Sequence, residues 1–193
     1  MYMADAKKPV ECFENKITIQ NYAEAYRIFD LRHGASSGRE WKASVFFVIG
    51  LGMLFSLLMQ NFNLAKNPVA VIVILICMYM CTHYIYILPK KAKLKGEHIY
   101  KSSKLLSKPY QTQIYRDYFV MKNDCEYIRK YYAEMSDCIE TDDMFVLIGG
   151  IEKNISVISK SCLTDEQCQT ISELFKREAV RIYRRTKSSK KRK

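Results

Sequence analysis

The chain has little of what common catalytic and metal sites require. It holds three histidines, seven glycines and seven cysteines in 193 residues, and it has no C-x-x-C pair. Dispersed histidines without a nucleophile elbow do not indicate a Ser-His-Asp triad. The cysteine spacing does not match a metal site, and there is no glycine-rich phosphate loop. We therefore predict a protein that is not an enzyme and that carries no cofactor and no metal.

Two further absences bear on cellular location. An odd number of cysteines without a disulfide framework is typical of reduced thiols in a cytoplasmic setting. The first forty residues are polar and charged and contain no apolar core, so we expect no cleaved signal peptide. The targeting signal is then the first apolar segment, which would remain in the mature protein.

Lysine, arginine and acidic residues are missing from two long apolar runs, residues 43–59 and 68–88. At ~1.5 Å per residue, a helix over the first run is roughly 26 Å long, slightly shorter than the ~30 Å hydrocarbon core, and the second is long enough to span it. A buried helix of a soluble protein normally keeps a polar face, which both runs lack. The sequence therefore predicts a hairpin of two transmembrane helices.

Local signals refine this hairpin. Asn67 is placed to cap the second helix and Pro68 to form its first turn. Pro89 is expected to end it. Gly52 and Ser56, four residues apart, form a stripe of small residues that we expect to pack against the second span, with a contact between two copies as the alternative.

The basic residues set the expected orientation. They lie on the two outer flanks of the hairpin, and the connecting loop holds only Lys66, which places both termini in the cytoplasm. The formal net charge of +11 favours anionic lipid headgroups as partners of the flanks, with nucleic acid as the competing interpretation. We do not expect specific nucleic-acid binding. The candidate lipid-facing residues are Lys90, Lys91, Lys93, Lys95, Arg184, Arg185, Lys190, Lys191, Arg192 and Lys193.

The polar segment before the hairpin predicts a short strand over residues 12–18, followed by a helix. Tyr22, Ala25, Tyr26 and Phe29 give that helix an apolar face at helical spacing. The segment is too small to hold a core alone. We expect it either to pack on the later domain or to lie along the membrane.

The region after the hairpin begins with a basic helical extension and then changes character. From Tyr110, runs of aromatic and β-branched residues are broken by turn residues such as Asn123-Asp124, which indicates an antiparallel meander. The predicted strands cover residues 111–115, 118–122, 126–132, 136–140, 145–148 and 155–159. Residues 164–167 form a capping box. Cys168, Ile171 and Phe175, continued by Ala179 and Ile182, mark one face of a final helix.

These elements predict a membrane α-hairpin plus a cytoplasmic α+β domain. A small antiparallel sheet closed by one C-terminal helix is the form of a pleckstrin-homology-like module. The expected organisation is an N-terminal strand-helix segment (1–42), the hairpin (43–88), the cytoplasmic domain (89–185) and a basic tail (186–193).

The order of elements is similar to that of the YcxB-like family of bacterial membrane proteins. The resembling stretches are YRDYFVMKNDCEYIRKYYAEMSDCIETDDMFVLIGG and NISVISKSCLTDEQCQTISELFKR. The usual family pattern has a proline before the final helix, where this chain has Val157 to Lys160. The resemblance implies a multi-pass protein of a bacterial cell membrane with a cytoplasmic pleckstrin-homology-like domain. The family has no established activity, so the resemblance implies no catalytic residues.

The expected function is a membrane-anchored cytoplasmic interaction module that binds a protein partner or anionic lipid headgroups. The alternative is a membrane enzyme with an interfacial cytoplasmic site near His83, Glu97 and His98. A proton relay through His83 would need acids at the same depth, and the spans contain none.

Two groups of residues have competing interpretations. Glu140, Asp142 and Asp143 form a candidate carboxylate site, but acids beside a strand break are usually solvated turn residues, which we expect here. The tyrosines between Tyr110 and Tyr132 are expected to be core or half-buried residues of strands. A binding surface is the alternative for them.

Overall fold

The computed structural model describes residues 8–34, 36–59, 67–106, 108–149, 154–178 and 183–186. The chain divides into two compact units. The first, Tyr26–Lys95, is called the helical unit. The second combines Met1–Ala25 with Gly96–Lys193 and is called the sheet unit. The helical unit is thus an insertion between the first strand of the sheet unit and the remaining strands.

Long helices make up the helical unit, and two of them, α1 and α4, extend into the sheet unit. They are α1 (Ile19–His33), α2 (Arg39–Met59), α3 (Pro68–Thr82) and α4 (Leu88–Ser102), with a π-helical turn at His83–Ile87 between the last two. The helix Arg39–Met59 and the run Pro68–Ser102 are long and apolar enough to cross a membrane by length and composition. In the most apolar 18-residue stretch of each helix, only 11% and 6% of the residues are buried. Both predicted spans are confirmed as helices, and the loop with Lys66 lies outside the described residues.

Pro89 lies inside the helical run and does not end it, so that prediction is wrong. The residue before it, Leu88, donates its backbone N–H to the carbonyl of His83, five residues earlier. A proline ring clashes with the carbonyl four residues before it in a regular α-helix, and the wider π turn supplies the missing room. At the other end, Pro68 occupies the first turn as expected, but the Asn67 side chain makes no capping hydrogen bond to the helix.

The contact between α2 and α3 uses Gly50 and not the predicted stripe. A Cβ atom on Gly50 would lie 3.3 Å from the Cβ of Cys77, so the glycine allows close approach. Leu57, two turns further along α2, is also buried. Gly52 and Ser56 are exposed, and no described atom lies within 4 Å of a Cβ built on Gly52. Two residues turn an α-helix by about 200°, so Gly52 faces away when Gly50 faces α3.

The described residues of the sheet unit form eight short strands in two sheets. Sheet A is antiparallel in the order β1 (Glu11–Asn15), β2 (Tyr110–Ile114), β3 (Tyr118–Lys122), β4 (Tyr127–Tyr131). Sheet B has the order β7 (Asn154–Ser159), β6 (Met144–Gly149), β5 (Met135–Glu140), β8 (Tyr183–Arg185), and β8 runs parallel to β5. A helix, α5 (Asp165–Glu178), precedes β8.

All six strands predicted after residue 110 are formed, but they divide between two sheets and do not make one meander. The chain turns at a 3-10 helix, Tyr132–Glu134, between β4 and β5. Tyr132 is buried there, and its hydroxyl donates to the carbonyl of Tyr115 at 3.1 Å. The N-terminal strand pairs with β2, which resolves the two expectations for that segment in favour of packing on the later domain.

The core of the sheet unit is an aromatic cluster that joins both sheets to α5. Phe119 of β3 stacks on Tyr132 with ring centres 5.9 Å apart. Phe175 of α5 meets Tyr132 and Phe145 of β6 edge-on, each at 5.6 Å. One helical side chain therefore contacts a strand of sheet B and the 3-10 helix that connects the two sheets, and Tyr132 of that 3-10 helix in turn packs on sheet A.

Helix α5 starts at the predicted capping box, which is confirmed. The Gln167 N–H donates to Thr164 Oγ1 at 3.2 Å, and the Thr164 N–H donates to Gln167 Oε1 at 3.1 Å. Ile171 and Phe175 of the predicted apolar face are fully buried. Ala179 and Ile182 lie outside the described residues.

Candidate functional site

The outer face of sheet A carries four tyrosines around one arginine. Alternate residues of a strand point to opposite sides of its sheet, so the sequence YIRKY of β4 places Tyr127, Arg129 and Tyr131 outward. Tyr118 of β3 pairs with Tyr131 across the ladder, and Tyr115 follows β2. We call these five residues the tyrosine surface.

The tyrosines between 110 and 132 therefore fall into two groups, one buried or half-buried and one exposed. Tyr110 and Tyr132 are core residues and Tyr115 and Tyr118 are half-buried, as expected. Tyr127 is 59% exposed and Tyr131 is 42% exposed, so the core interpretation is wrong for them. The i, i+2 spacing of Tyr127, Arg129 and Tyr131 was the signal in the sequence that placed these three residues on one face of the strand.

The side chains of the tyrosine surface are held in place by ring stacking and cation–π contacts with one another. Tyr115 and Tyr118 stack at 4.5 Å, and Tyr118 lies 5.6 Å from Tyr131. The Arg129 guanidinium carbon lies 4.9 Å from the centre of the Tyr118 ring and 6.0 Å from that of Tyr127. Its Nη2 donates to the Tyr127 hydroxyl at 3.1 Å. Hydrogen bonds to Tyr127 and Tyr131 raise the pKa of Arg129 above its usual range.

An open groove adjoins this surface. It has a volume of about 580 Å³, and Glu14, Gln111, Lys122 and Asp124 are among its lining residues. In the ladder of sheet A, Gln111 pairs with Lys122, which pairs with Tyr127. The groove and the tyrosine surface therefore form one continuous outer region with charges of both signs.

The candidate lipid-facing residues fall into three groups. The lysines at 90, 91, 93 and 95 are exposed in the helical unit and follow directly on the apolar helix. Lys95 also lies 5.7 Å from the ring centre of Tyr26. Arg184 and Arg185 are exposed, but they belong to β8 and are paired with β5. Residues 190–193 lie outside the described part of the chain.

Glu140 is buried in a polar cluster and is not a solvated turn residue, so that interpretation is wrong. Its Oε1 accepts a hydrogen bond from Lys160 Nζ at 2.7 Å. Its Oε2 accepts from Ser172 Oγ at 3.2 Å and from the Tyr183 hydroxyl. Burial acts to raise the pKa of Glu140, but the hydrogen bonds and charge of these partners prevail and lower it. The cluster therefore holds an ionised carboxylate that connects β5, α5 and β8.

Of the residues named for an interfacial enzyme site, His83 belongs to a different unit from the neighbouring Glu97 and His98. His83 lies in the π-helical turn, with ring centres of Tyr79 and Tyr84 at 6.1 and 5.6 Å. Glu97 and His98 follow in the sheet unit. Among the described residues, no three histidine, cysteine or acidic side chains are grouped to hold a metal ion.

Comparisons of the chain with protein-family models and with curated proteins found no match.

Proposed function

We propose that this chain is a membrane-anchored interaction module of the YcxB-like kind. In this proposal α2 and α3 anchor the protein in a bacterial membrane. The sheet unit is a cytoplasmic pleckstrin-homology-like module that binds a protein partner through the tyrosine surface.

The observation that carries the anchor is the exposure of large apolar side chains on both long helices. Phe47 and Phe55 of α2 are 59% and 62% exposed, and Leu75 and Met78 of α3 are 60% and 63% exposed. Soluble monomeric proteins rarely expose contiguous apolar patches of this kind. Hydrocarbon would cover them at no cost to backbone hydrogen bonds, which a helix satisfies internally.

Pairing inside the sheet unit supports two crossings. Strand β1 precedes the helical unit and β2 follows it, yet Asn15 lies opposite Tyr110 in one antiparallel ladder. Residues paired in a ladder are on the same side of a bilayer. The chain between them must therefore cross an even number of times, as a two-helix hairpin does. The flanking lysines then favour the cytoplasmic side.

The composition and order of the tyrosine surface support a protein partner. Tyrosine and arginine are enriched among the residues that contribute most to protein interfaces. Side chains already held by mutual stacking lose less conformational freedom on binding, which favours affinity. The adjoining groove offers acceptors and a lysine beside the rings.

Anionic lipid is a second candidate, favoured by the lysines that follow the apolar helix. Lys90, Lys91 and Lys93 begin α4 and are exposed. A lysine near an anionic surface contributes ~1 kcal/mol. In nanodiscs, these lysines should resist acylation more strongly with anionic than with neutral lipid, while Lys108 serves as the control. Equal modification in both lipids would contradict lipid contact.

Thiol labelling of whole cells tests the anchor and its orientation. Cys12 and Cys125 are exposed on the sheet unit, so an impermeant maleimide should label them only in permeabilised cells or inverted vesicles. A cysteine introduced at Asn63, in the connecting loop, should be labelled from outside. Extraction of the protein by alkaline carbonate, or labelling of Cys12 in intact cells, would contradict the anchor as proposed.

Purification in mild detergent tests the partner surface. A variant with Tyr127→Ser and Arg129→Ser should lose proteins that copurify with the wild-type chain. Arg177→Ser, which removes an exposed arginine from α5, is the matched control and should retain them. Equal recovery with all three proteins would show that the tyrosine surface does not bind the partner.

A further inference from the structure

The C-terminal strand β8 is attached to its sheet by few contacts. It is three residues long and pairs in parallel with the outer side of β5, with Tyr183 opposite Cys138 and Arg185 opposite Glu140. One more backbone hydrogen bond, from the Thr186 N–H to the Glu140 carbonyl at 2.8 Å, extends the pairing. The side chains of Arg184 and Arg185 are exposed.

In the described part of this segment, the side chain that fixes β8 against β5 and α5 is that of Tyr183. Its hydroxyl donates to Oε2 of the buried Glu140 and lies 2.9 Å from Ser172 Oγ. Lys176 Nζ lies 5.4 Å from the centre of its ring. The phenol hydroxyl therefore lies in a polar pocket formed by Glu140 and Ser172. The backbone of β8 supplies the remaining contacts.

Sheet edges bind extended peptides by the same combination of contacts. Backbone pairing gives affinity, and a side-chain pocket gives specificity. We propose that the edge of β5 and helix α5 form a binding site for a peptide strand that contains an unmodified tyrosine, and that the chain's own Tyr183–Thr186 occupies it here. The site belongs to the sheet unit alone, so it does not depend on the membrane anchor or on the tyrosine surface.

The residues around the phenol oxygen set the specificity. Phenylalanine would leave Glu140 Oε2 without its phenol donor. Phosphotyrosine would bring a second negative charge against that carboxylate, and the space beyond the phenol oxygen is taken by Glu140 and Ser172. The nearby cation Lys160 is already paired with Glu140 at 2.7 Å. The site therefore selects tyrosine over both analogues.

Peptide binding to opened variants, in which Tyr183 no longer fills the site, tests the proposal. One variant of the full chain ends at Glu178, and a second carries Tyr183→Ala with the tail retained. A fluorescent peptide of residues 181–187 should bind both saturably, and at least about tenfold more weakly to wild type, where the tethered strand competes at high effective concentration. The phenylalanine peptide should bind about tenfold more weakly than the tyrosine peptide, and the phosphotyrosine peptide should not bind.

The outcomes separate a built site from simple charge attraction. A peptide with the same residues in scrambled order is the control. Equal binding of the tyrosine, phenylalanine and scrambled peptides would overturn the proposal. Equal binding by wild type and by the opened variants would also overturn it. Absence of saturable binding at millimolar peptide would also overturn it.

Hydrogen exchange on the full chain gives an independent readout that does not depend on the opened variants. Tyr183→Phe should accelerate exchange of the Thr186 amide at least about tenfold and leave β6 unchanged. An unchanged Thr186 amide would overturn the proposal.

Discussion

Asn15 holds the strand that precedes the helical unit inside the sheet unit, and its replacement by alanine should destabilise that unit. The side chain is fully buried. Its Nδ2 donates to the Tyr110 hydroxyl at 2.9 Å and to the Val157 carbonyl at 3.0 Å, and its Oδ1 accepts from the Ser159 N–H at 3.1 Å. Because β1 belongs to sheet A and β7 to sheet B, one amide links the two sheets.

The size of the effect follows from which partners keep a hydrogen bond. In Asn15→Ala the Val157 carbonyl still accepts from the Tyr110 hydroxyl at 3.2 Å, but the Ser159 N–H loses its acceptor. A buried donor without a partner costs about 1–3 kcal/mol, and the space left by the amide adds about 1 kcal/mol. We expect a loss of roughly 2–4 kcal/mol, which lowers Tm by roughly 10–25 °C for a unit of this size.

Thermal melting of the full chain in mild detergent, followed by the near-ultraviolet circular dichroism of its tyrosines, measures this loss. Glu14→Ala is the matched control, because Glu14 is the neighbouring residue of β1 and its side chain is exposed. It should change the unfolding free energy by less than about 0.5 kcal/mol. A loss below about 1 kcal/mol in Asn15→Ala, or an equal loss in Glu14→Ala, would refute the reasoning.

Three further predictions concern other buried groups of the sheet unit. Phe175→Ala should cost about 3–5 kcal/mol in a denaturant titration because it removes the buried ring that packs on Tyr132 and Phe145; a cost near zero would contradict that role. The pKa of Glu140 is lowered, so its stabilisation is complete above the ordinary glutamate pKa of about 4.5 and is lost as the pH falls through the lower folded value. Wild type should therefore lose more stability than Glu140→Gln on acidification, and parallel melting profiles would contradict this. Burial raises the pKa of Cys138 to about 12, so iodoacetamide should modify Cys12 and Cys125 at neutral pH but leave Cys138 unmodified until unfolding.

Features governed by neighbours in the sequence were predictable. The long runs without charge gave both apolar helices, and the Thr164–Gln167 pattern gave the start of α5. The turn at Asn123 could also be predicted, because an asparagine side chain can accept hydrogen bonds from the backbone N–H groups that follow it. Its Oδ1 accepts from the N–H of Cys125 and from that of Glu126. In each case the stabilising contact lies within four residues.

Features governed by distant residues were not predictable. The division into two sheets depends on the burial of Tyr132 under Phe175, which is far along the chain. The helix continues through Pro89 only because the preceding turn is widened, and no sequence rule marks that turn. Strand β8 has two exposed arginines in three residues, so it carries no alternation to detect.

The candidate site was half predictable for the same reason. The alternation at Tyr127, Arg129 and Tyr131 is local and identifies a common face. Which face of the strand is outward depends on the sheet to which β4 belongs. The Glu140 cluster combines residues from β5, α5 and β8, and the separation of 43 residues between Glu140 and Tyr183 hides it from any local pattern.

The insertion of the helical unit between β1 and β2 makes one last prediction, about fragments. Residues 96–193 contain seven of the eight described strands but lack β1. This fragment therefore leaves the edge of β2 unpaired, and the groups that bind the Asn15 side chain lose that partner. An open, partly apolar edge favours aggregation, so the fragment should not fold alone. Joining residues 8–25 to 96–193 through a flexible glycine-serine linker restores β1 without the apolar helices. The fusion should be soluble and melt cooperatively. Cooperative melting of the 96–193 fragment at the same temperature as the fusion would show that β1 is dispensable, and that the pairing of Asn15 with both sheets contributes little to the fold.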